Sequence, residues 1–167
     1  MDLRISGIAE DSIVDGPGLR FVVFTQGCPH RCPGCHNPQT HDFSAGTLVD
    51  TDELLRRYRR NPLLQGITLS GGEPFSQPAP LAELCEELKQ DDVPVMIYSG
   101  YTYEELLARA EADPDTARLL ALCDILVDGR FELATRSLML KFRGSKNQRI
   151  IDLPASRRSG HIVEKIL

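Results

Sequence analysis

The sequence predicts an α/β fold, an open, partial (β/α) barrel with a mostly parallel sheet of about four to six βα units. Three observations predict it. Runs of β-branched and aromatic residues alternate with amphipathic helical patterns, as βα units require. The residues richest in chemistry follow directly after predicted strands, where parallel α/β folds gather their sites. The chain has 167 residues, too few for a complete eight-unit barrel of ~250.

Leu19 to Thr25 (LRFVVFT) reads as a buried first strand. Asp50 followed by Glu53 resembles a helix start, and Leu54, Leu55 and Tyr58 then keep one face. Ile67 to Ser70 is a second strand that runs into Gly71-Gly72. Past Pro78 and Pro80, Leu81, Leu84, Cys85 and Leu88 follow the i, i+3, i+4, i+7 pattern of a helix with one apolar face. Val93 to Tyr98 is the third strand. Thr102 with Glu105 opens another helix, and Asp113-Pro114 starts a further one with proline in its first turn. Ile125 to Val127 is a fourth strand ending at Asp128-Gly129; Arg149 to Leu153 and His161 to Ile166 are weaker strand patterns. No repeat, linker or shift in composition divides the chain, so one domain over residues 1–167 is expected.

A formal net charge of −5, with no basic stripe, argues against nucleic acid as a partner. Arg56, Arg57, Arg59 and Arg60 cluster in sequence but point in several directions on a helix. The N-terminus, with Asp2, Arg4, Glu10 and Asp11, fits no signal-peptide h-region, and no run approaches the ~20 apolar residues of a membrane span. A soluble, cytoplasmic protein is expected. Disulfides are rare in that reducing compartment, so the five cysteines need another explanation.

Three of them supply the strongest signal. Cys28, Cys32 and Cys35 form a C-x3-C-x2-C loop within Gly27 to Asn37, straight after the first strand. Two prolines and two glycines keep that loop from becoming a helix. Zinc would need a fourth ligand, which His30, His36 or His41 could give. A ferredoxin-type cluster would want a fourth thiolate from Cys85 or Cys123. A 4Fe–4S cluster on three thiolates would leave one iron open to a substrate. Cys85, on an apolar helix face, and Cys123, in an apolar run, otherwise read as small core hydrophobes.

Cys28-x3-Cys32-x2-Cys35 after a strand resembles the motif of the radical S-adenosyl-L-methionine (AdoMet) superfamily. Ser70-Gly71-Gly72-Glu73-Pro74 is similar to that superfamily's second mark. Upstream, Val14-Asp15-Gly16-Pro17-Gly18-Leu19-Arg20-Phe21 with Gln26-Gly27-Cys28 resembles the signature of glycyl-radical-enzyme activases. Among these, the short chain, the cluster loop and Phe142 to Asp152 (FRGSKNQRIID) look like the activases that serve anaerobic ribonucleoside-triphosphate reductase. No cysteine lies between Cys35 and Cys85, so a single cluster is expected.

The resemblance implies a radical AdoMet fold and a 4Fe–4S cluster on Cys28, Cys32 and Cys35 whose open iron chelates AdoMet. One electron, from a flavodoxin or ferredoxin, then splits the sulfonium into methionine and a 5′-deoxyadenosyl radical, which takes a Cα hydrogen from a glycine of the partner reductase. It implies that Ser70, Gly71, Gly72 and Glu73 meet the methionine ammonium, and it points to Ser99 and Asp128 at later strand ends. Many relatives carry an aromatic before the third cysteine, near adenine; here it is Gly34, and the backbone of His36 or Asn37 is expected to serve instead. His30 and Arg31 sit inside the loop, where they could tune the cluster's charge. The rim that meets the partner is expected from strand-end loops and from Phe142 to Arg149, with Lys141, Arg143, Lys146 and Arg149. Rival readings are an activase of a formate-lyase-type enzyme, a small-molecule radical enzyme, and a non-catalytic iron–sulfur or zinc module.

Overall fold

The computed structural model describes residues 1–167. Seven strands form one sheet: β1 (Asp2–Ser12), β2 (Arg20–Thr25), β3 (Thr47–Asp50), β4 (Gly66–Gly71), β5 (Val95–Tyr98), β6 (Ile125–Asp128) and β7 (Arg149–Asp152). Their order across the sheet is β3-β1-β2-β4-β5-β6-β7. The pairs β2–β4, β4–β5 and β5–β6 are parallel. The pairs β1–β2, β1–β3 and β6–β7 are antiparallel. Five of the seven strands therefore point the same way, and the two ends of the sheet never meet. The fold is an open, partial barrel whose parallel core has four strands.

Helices α1 (Thr51–Arg59), α2 (Pro78–Lys89), α3 (Tyr103–Ala112) and α4 (Pro114–Leu122) fill the connections. The predicted caps are in place. Asp50 accepts from the Asp52 N–H at 2.9 Å, and Asp113 accepts from Asp115 N–H at 3.1 Å. Thr102 and Glu105 form a reciprocal capping box. Such local bonds satisfy the free N–H groups of a first helical turn.

The main core lies between these helices and one face of the sheet: Phe21, Val23, Ile67, Leu69, Val95, Ile97 and Leu126 pack on Leu54, Tyr58, Leu81, Leu84 and Leu88. Cys85 and Cys123 are fully buried here. Burial pushes the Cys85 thiol up to about 12 and the Cys123 thiol in the same direction, so neither offers a thiolate.

Strand alternation turns Arg20, Thr68, Met96, Tyr98 and Val127 to the opposite face. Residues 13–18 fold back over that face. Arg20, 2% exposed, fastens them: it donates to the Pro17, Ile67 and Pro94 carbonyls and to Thr68 Oγ1, at 2.8–3.2 Å. Thr68 in turn donates to the Asp15 carbonyl at 2.9 Å. Gly16 has φ +149°, and a Cβ there would lie 2.6 Å from Arg20 Cδ, so the crossing needs glycine. Beside it, Met96, Ile125, Val127 and Ile150 form a second small core joined by Tyr98 and Phe142.

Three elements depart from the sequence reading. β1 and β3 are strands that alternation did not reveal, because β1 shifts register at Gly7 and β3 is only four residues long with Leu48 exposed. Residues 161–166 form no strand; Glu164 makes one isolated bridge to Ile151. The chain instead turns into α5 (Leu153–Ser159), whose Asp152 cap accepts from Ala155 N–H at 2.9 Å.

Candidate active site

The cluster loop springs from the carboxyl end of β2 and is closed at its neck by backbone bonds. Gly27 N–H donates to the Thr40 carbonyl at 2.7 Å and Cys28 N–H to His41 at 3.3 Å. The Gln26 amide reaches across to the carbonyls of Gln39 and Asp42, at 3.0 and 2.7 Å. Within the loop Cys28, Cys32 and Cys35 are half-buried free thiols. All three line one cavity of about 360 Å³, a size that fits a small ligand. Burial raises the Cys28 thiol above its usual range, so any metal it takes must displace a proton. Nowhere do three His, Cys, Asp or Glu side chains converge as a single ion would require.

The ends of the next strands close the cavity. Ser70, Gly71 and Gly72 line it from β4, Ser99 from β5, and His36 and Asn37 from the cluster loop itself. Gly71 has φ +92°, a conformation that favours glycine. A Cβ on Gly72 would lie 2.4 Å from the Gly27 carbonyl and 3.0 Å from that of Thr40. A side chain at Gly72 therefore strikes the neck of the cluster loop before it reaches the cavity.

Glu73 is fully buried, and its carboxylate is not part of the cavity wall. One oxygen accepts from His30 Nε2 at 2.7 Å, Gly100 N–H at 2.8 Å and Ser99 Oγ at 3.0 Å. The other accepts from Phe75 N–H at 3.0 Å. Glu73 ties the cluster loop to the ends of β4 and β5, and His30 is further held by an edge-on contact with Tyr101. The Ser99 hydroxyl is spent within the same knot, since it also accepts from Tyr101 N–H at 3.0 Å.

Asp128 faces a neighbouring recess rather than the cysteine cavity. Its oxygens accept from Tyr103 N–H at 2.8 Å and from Arg149, whose Nε and Nη2 lie at 3.1 and 2.5 Å. Arg149 also bonds Glu104, and the two carboxylates raise its already high pKa further. Gly34 does not line the cavity. The space a side chain would take there is filled by Leu133 and Phe131, with Leu133 Cδ1 2.9 Å from an ideal Cβ. Phe131 also packs against His36, ring centres 5.0 Å apart and the planes tilted by 50°.

Sequence reasoning missed Phe131 and gave other roles to several wall residues. Phe131, Phe142, Arg143 and Gln148 come from the segment after β6, the last three expected at the rim, and His41 from beyond the loop. Two of these carry buried nitrogens with no hydrogen-bond partner, His41 Nε2 and Arg143 Nε. Unpaired buried donors are costly, and both belong to residues on the wall of the cysteine cavity. The thiols, the close Gly71-Gly72 backbone and these two nitrogens fit a sulfur-ligated cluster with a polar ligand beside it. Arg143, expected at the rim, is in the wall, where it donates to the Gln148 carbonyl at 2.9 Å.

Residues 14–151 match the family model for a 4Fe-4S single cluster domain. The anaerobic ribonucleoside-triphosphate reductase-activating protein of Pasteurella multocida is 35% identical over 145 residues, covering 81% of this chain and 89% of that protein. The protein of the same name from Escherichia coli K12 is 33% identical over 144 residues, covering 81% and 90%. The pyruvate formate-lyase-activating enzyme of Clostridium pasteurianum is 38% identical over 117 residues, 65% of this chain and 49% of its own. A solved structure, QueE from Escherichia coli, aligns at TM-score 0.47 and 19% identity over 61% of this chain and 54% of that one. The chain belongs to the iron–sulfur family of radical AdoMet activating enzymes. No helix is long and apolar enough to cross a membrane.

Proposed function

We propose that this chain, acting as one domain in the cytoplasm, generates a glycyl radical on anaerobic ribonucleoside-triphosphate reductase by reductive cleavage of AdoMet. One observation carries the reading: three half-buried thiols, the Gly71-Gly72 backbone and two unpartnered nitrogens share one cavity. Cys28, Cys32 and Cys35 would hold the cluster; with AdoMet bound it supplies one electron from a flavodoxin or ferredoxin, and the products are methionine, 5′-deoxyadenosine and the glycyl radical. The chain's own part is placement. The Gly71-Gly72 backbone, packed tightly against the loop neck, lines the cavity, where it can offer carbonyls to the ligand's ammonium. Arg143 and His41 offer buried donors to its carboxylate and ribose. Phe131 and the backbone of His36 and Asn37 give adenine a flat, apolar side. Glu73 and Ser99 act through the cluster loop, and Asp128 through Arg149.

The likeness to a formate-lyase activase keeps a second partner class in the test. Anaerobically loaded protein is mixed with AdoMet, reductant and either the reductase or a formate-lyase-type enzyme, and the radical is read by paramagnetic resonance. A signal on the reductase alone is expected. Loaded Cys32→Ala protein should hold little iron; full iron and sulfide in that variant would overturn the ligand assignment, and no AdoMet cleavage by the wild type would overturn the function.

A further inference from the structure

Residues 136–145 form a hairpin whose base belongs to the cavity and whose tip belongs to nothing. Arg136 and Ser145 pair as an antiparallel bridge. Ser137 N–H donates to the Gly144 carbonyl at 3.2 Å and Lys146 N–H to that of Thr135 at 3.1 Å. Ser145 is fully buried and its hydroxyl accepts from Glu132 N–H at 3.1 Å. Phe142, Arg143 and Gly144, on the returning side, line the cysteine cavity. The base is fixed by these bonds. At the tip, Leu138 is 91% exposed and Met139 92%.

Charge marks the same segment. Residues 130–149 hold six Lys or Arg and one acid, Glu132, in a chain of net charge −5. Arg130 is paired with Glu105, and Arg149 with Glu104 and Asp128. Arg136, Lys141 and Lys146 are exposed and face no carboxylate within ion-pair range. A second exposed apolar pair, Ile13 and Val14, borders the same cavity, with Val14 in its wall. Adjacent exposed apolar side chains on a segment that also carries unpaired cations mark an interaction site rather than a solvent-facing turn.

We propose that this hairpin is the docking prong for the protein that carries the reacting glycine. Leu138 and Met139 enter an apolar recess on that protein, and Arg136, Lys141 and Lys146 meet carboxylates around it. The inference rests on the activase reading and adds the surface that the reading leaves open. The position of the prong argues for this occupant: whatever grips the tip is held beside a cavity to whose wall the same hairpin gives Phe142, Arg143 and Gly144. A glycine segment of the gripped protein then reaches the cavity without this chain opening.

The test is direct binding of the reductase to wild-type protein and to Leu138→Ser/Met139→Ser, measured by calorimetry whether or not turnover occurs. Truncating a buried apolar anchor of an interface weakens binding about 10- to 100-fold. The double variant should lose affinity by that factor and regain radical yield at high reductase concentration. Its partner-free AdoMet cleavage with a chemical reductant should match wild type. Arg136→Glu/Lys146→Glu should slow association and flatten its dependence on salt. Unchanged affinity in the apolar double variant overturns the prong. Self-association by sedimentation that vanishes in that variant, with reductase affinity unaltered, also overturns it and assigns the tip to a second copy. Failure of the activase reading is separate and shows as wild-type protein that cleaves no AdoMet.

Discussion

Glu73 shows how far one side chain can organise a site it does not line. Four donors converge on a carboxylate with no solvent exposure, the Ser99 hydroxyl lying 3.0 Å from both oxygens, and every donor requires an acceptor. Glu73→Gln places an NH2 group against one of those donors. It should lower stability by about 1–3 kcal/mol and reduce iron uptake, because His30 loses its hold on the loop. Thermal unfolding and iron analysis of the reconstituted variant check this; a wild-type Tm would sink it. The cysteines give the second prediction at this scale. Unfolded thiols ionise near ~8.5, whereas Cys85 in the fold does so at about 12. Its raised pKa therefore contributes stability that is fully present below ~8.5 and is lost progressively toward 12, at about 1.4 kcal/mol per pH unit. A maleimide should label Cys28, Cys32 and Cys35 in the native apo-protein and reach Cys85 and Cys123 only after denaturation. Labelling of all five in the native state would contradict their burial.

Among elements, the 13–18 crossing depends on a single buried cation. Arg20 meets no carboxylate; it is solvated by three carbonyls and a hydroxyl, and burial pulls its pKa down from the usual value. Arg20→Met keeps the bulk and removes every donor. A loss of roughly 2–4 kcal/mol is expected, with faster proteolysis at residues 13–18, and an unchanged Tm would mean the crossing is held by packing alone. The same elements show what was legible in the sequence. Caps such as Asp50, Thr102 with Glu105, and Asp113 act within four residues, so α1, α3 and α4 could be read directly. The cysteine loop was legible for the same reason. β1 and β3 were not, since β1 breaks its alternation with two register shifts and β3 is four residues long with Leu48 exposed and a partner far back along the chain. Phe131 was out of reach, and Arg143 and His41 were singled out only for other roles, at the rim and as a possible zinc ligand. Only the strand order β2-β4-β5-β6-β7 brings their loops to one cavity.

The whole molecule combines a parallel core with antiparallel strands at both ends, which lets a chain of this length bury a sheet and keep a cavity at the carboxyl ends of its strands. Occupation of the cavity should stabilise the folded state alone, by RT ln(1 + [L]/Kd). Reconstituted protein is expected to melt higher than apo-protein, and AdoMet should raise the Tm again; no increment with AdoMet would place its site elsewhere. The neck of the cluster loop has a further consequence. Its closing bonds run between backbone groups, Gln26, Glu73 and His30, and none of them uses a cysteine sulfur. A burst of oxygen that strips the iron would thus leave the cradle standing. Such damage is an emptied socket rather than a ruined protein.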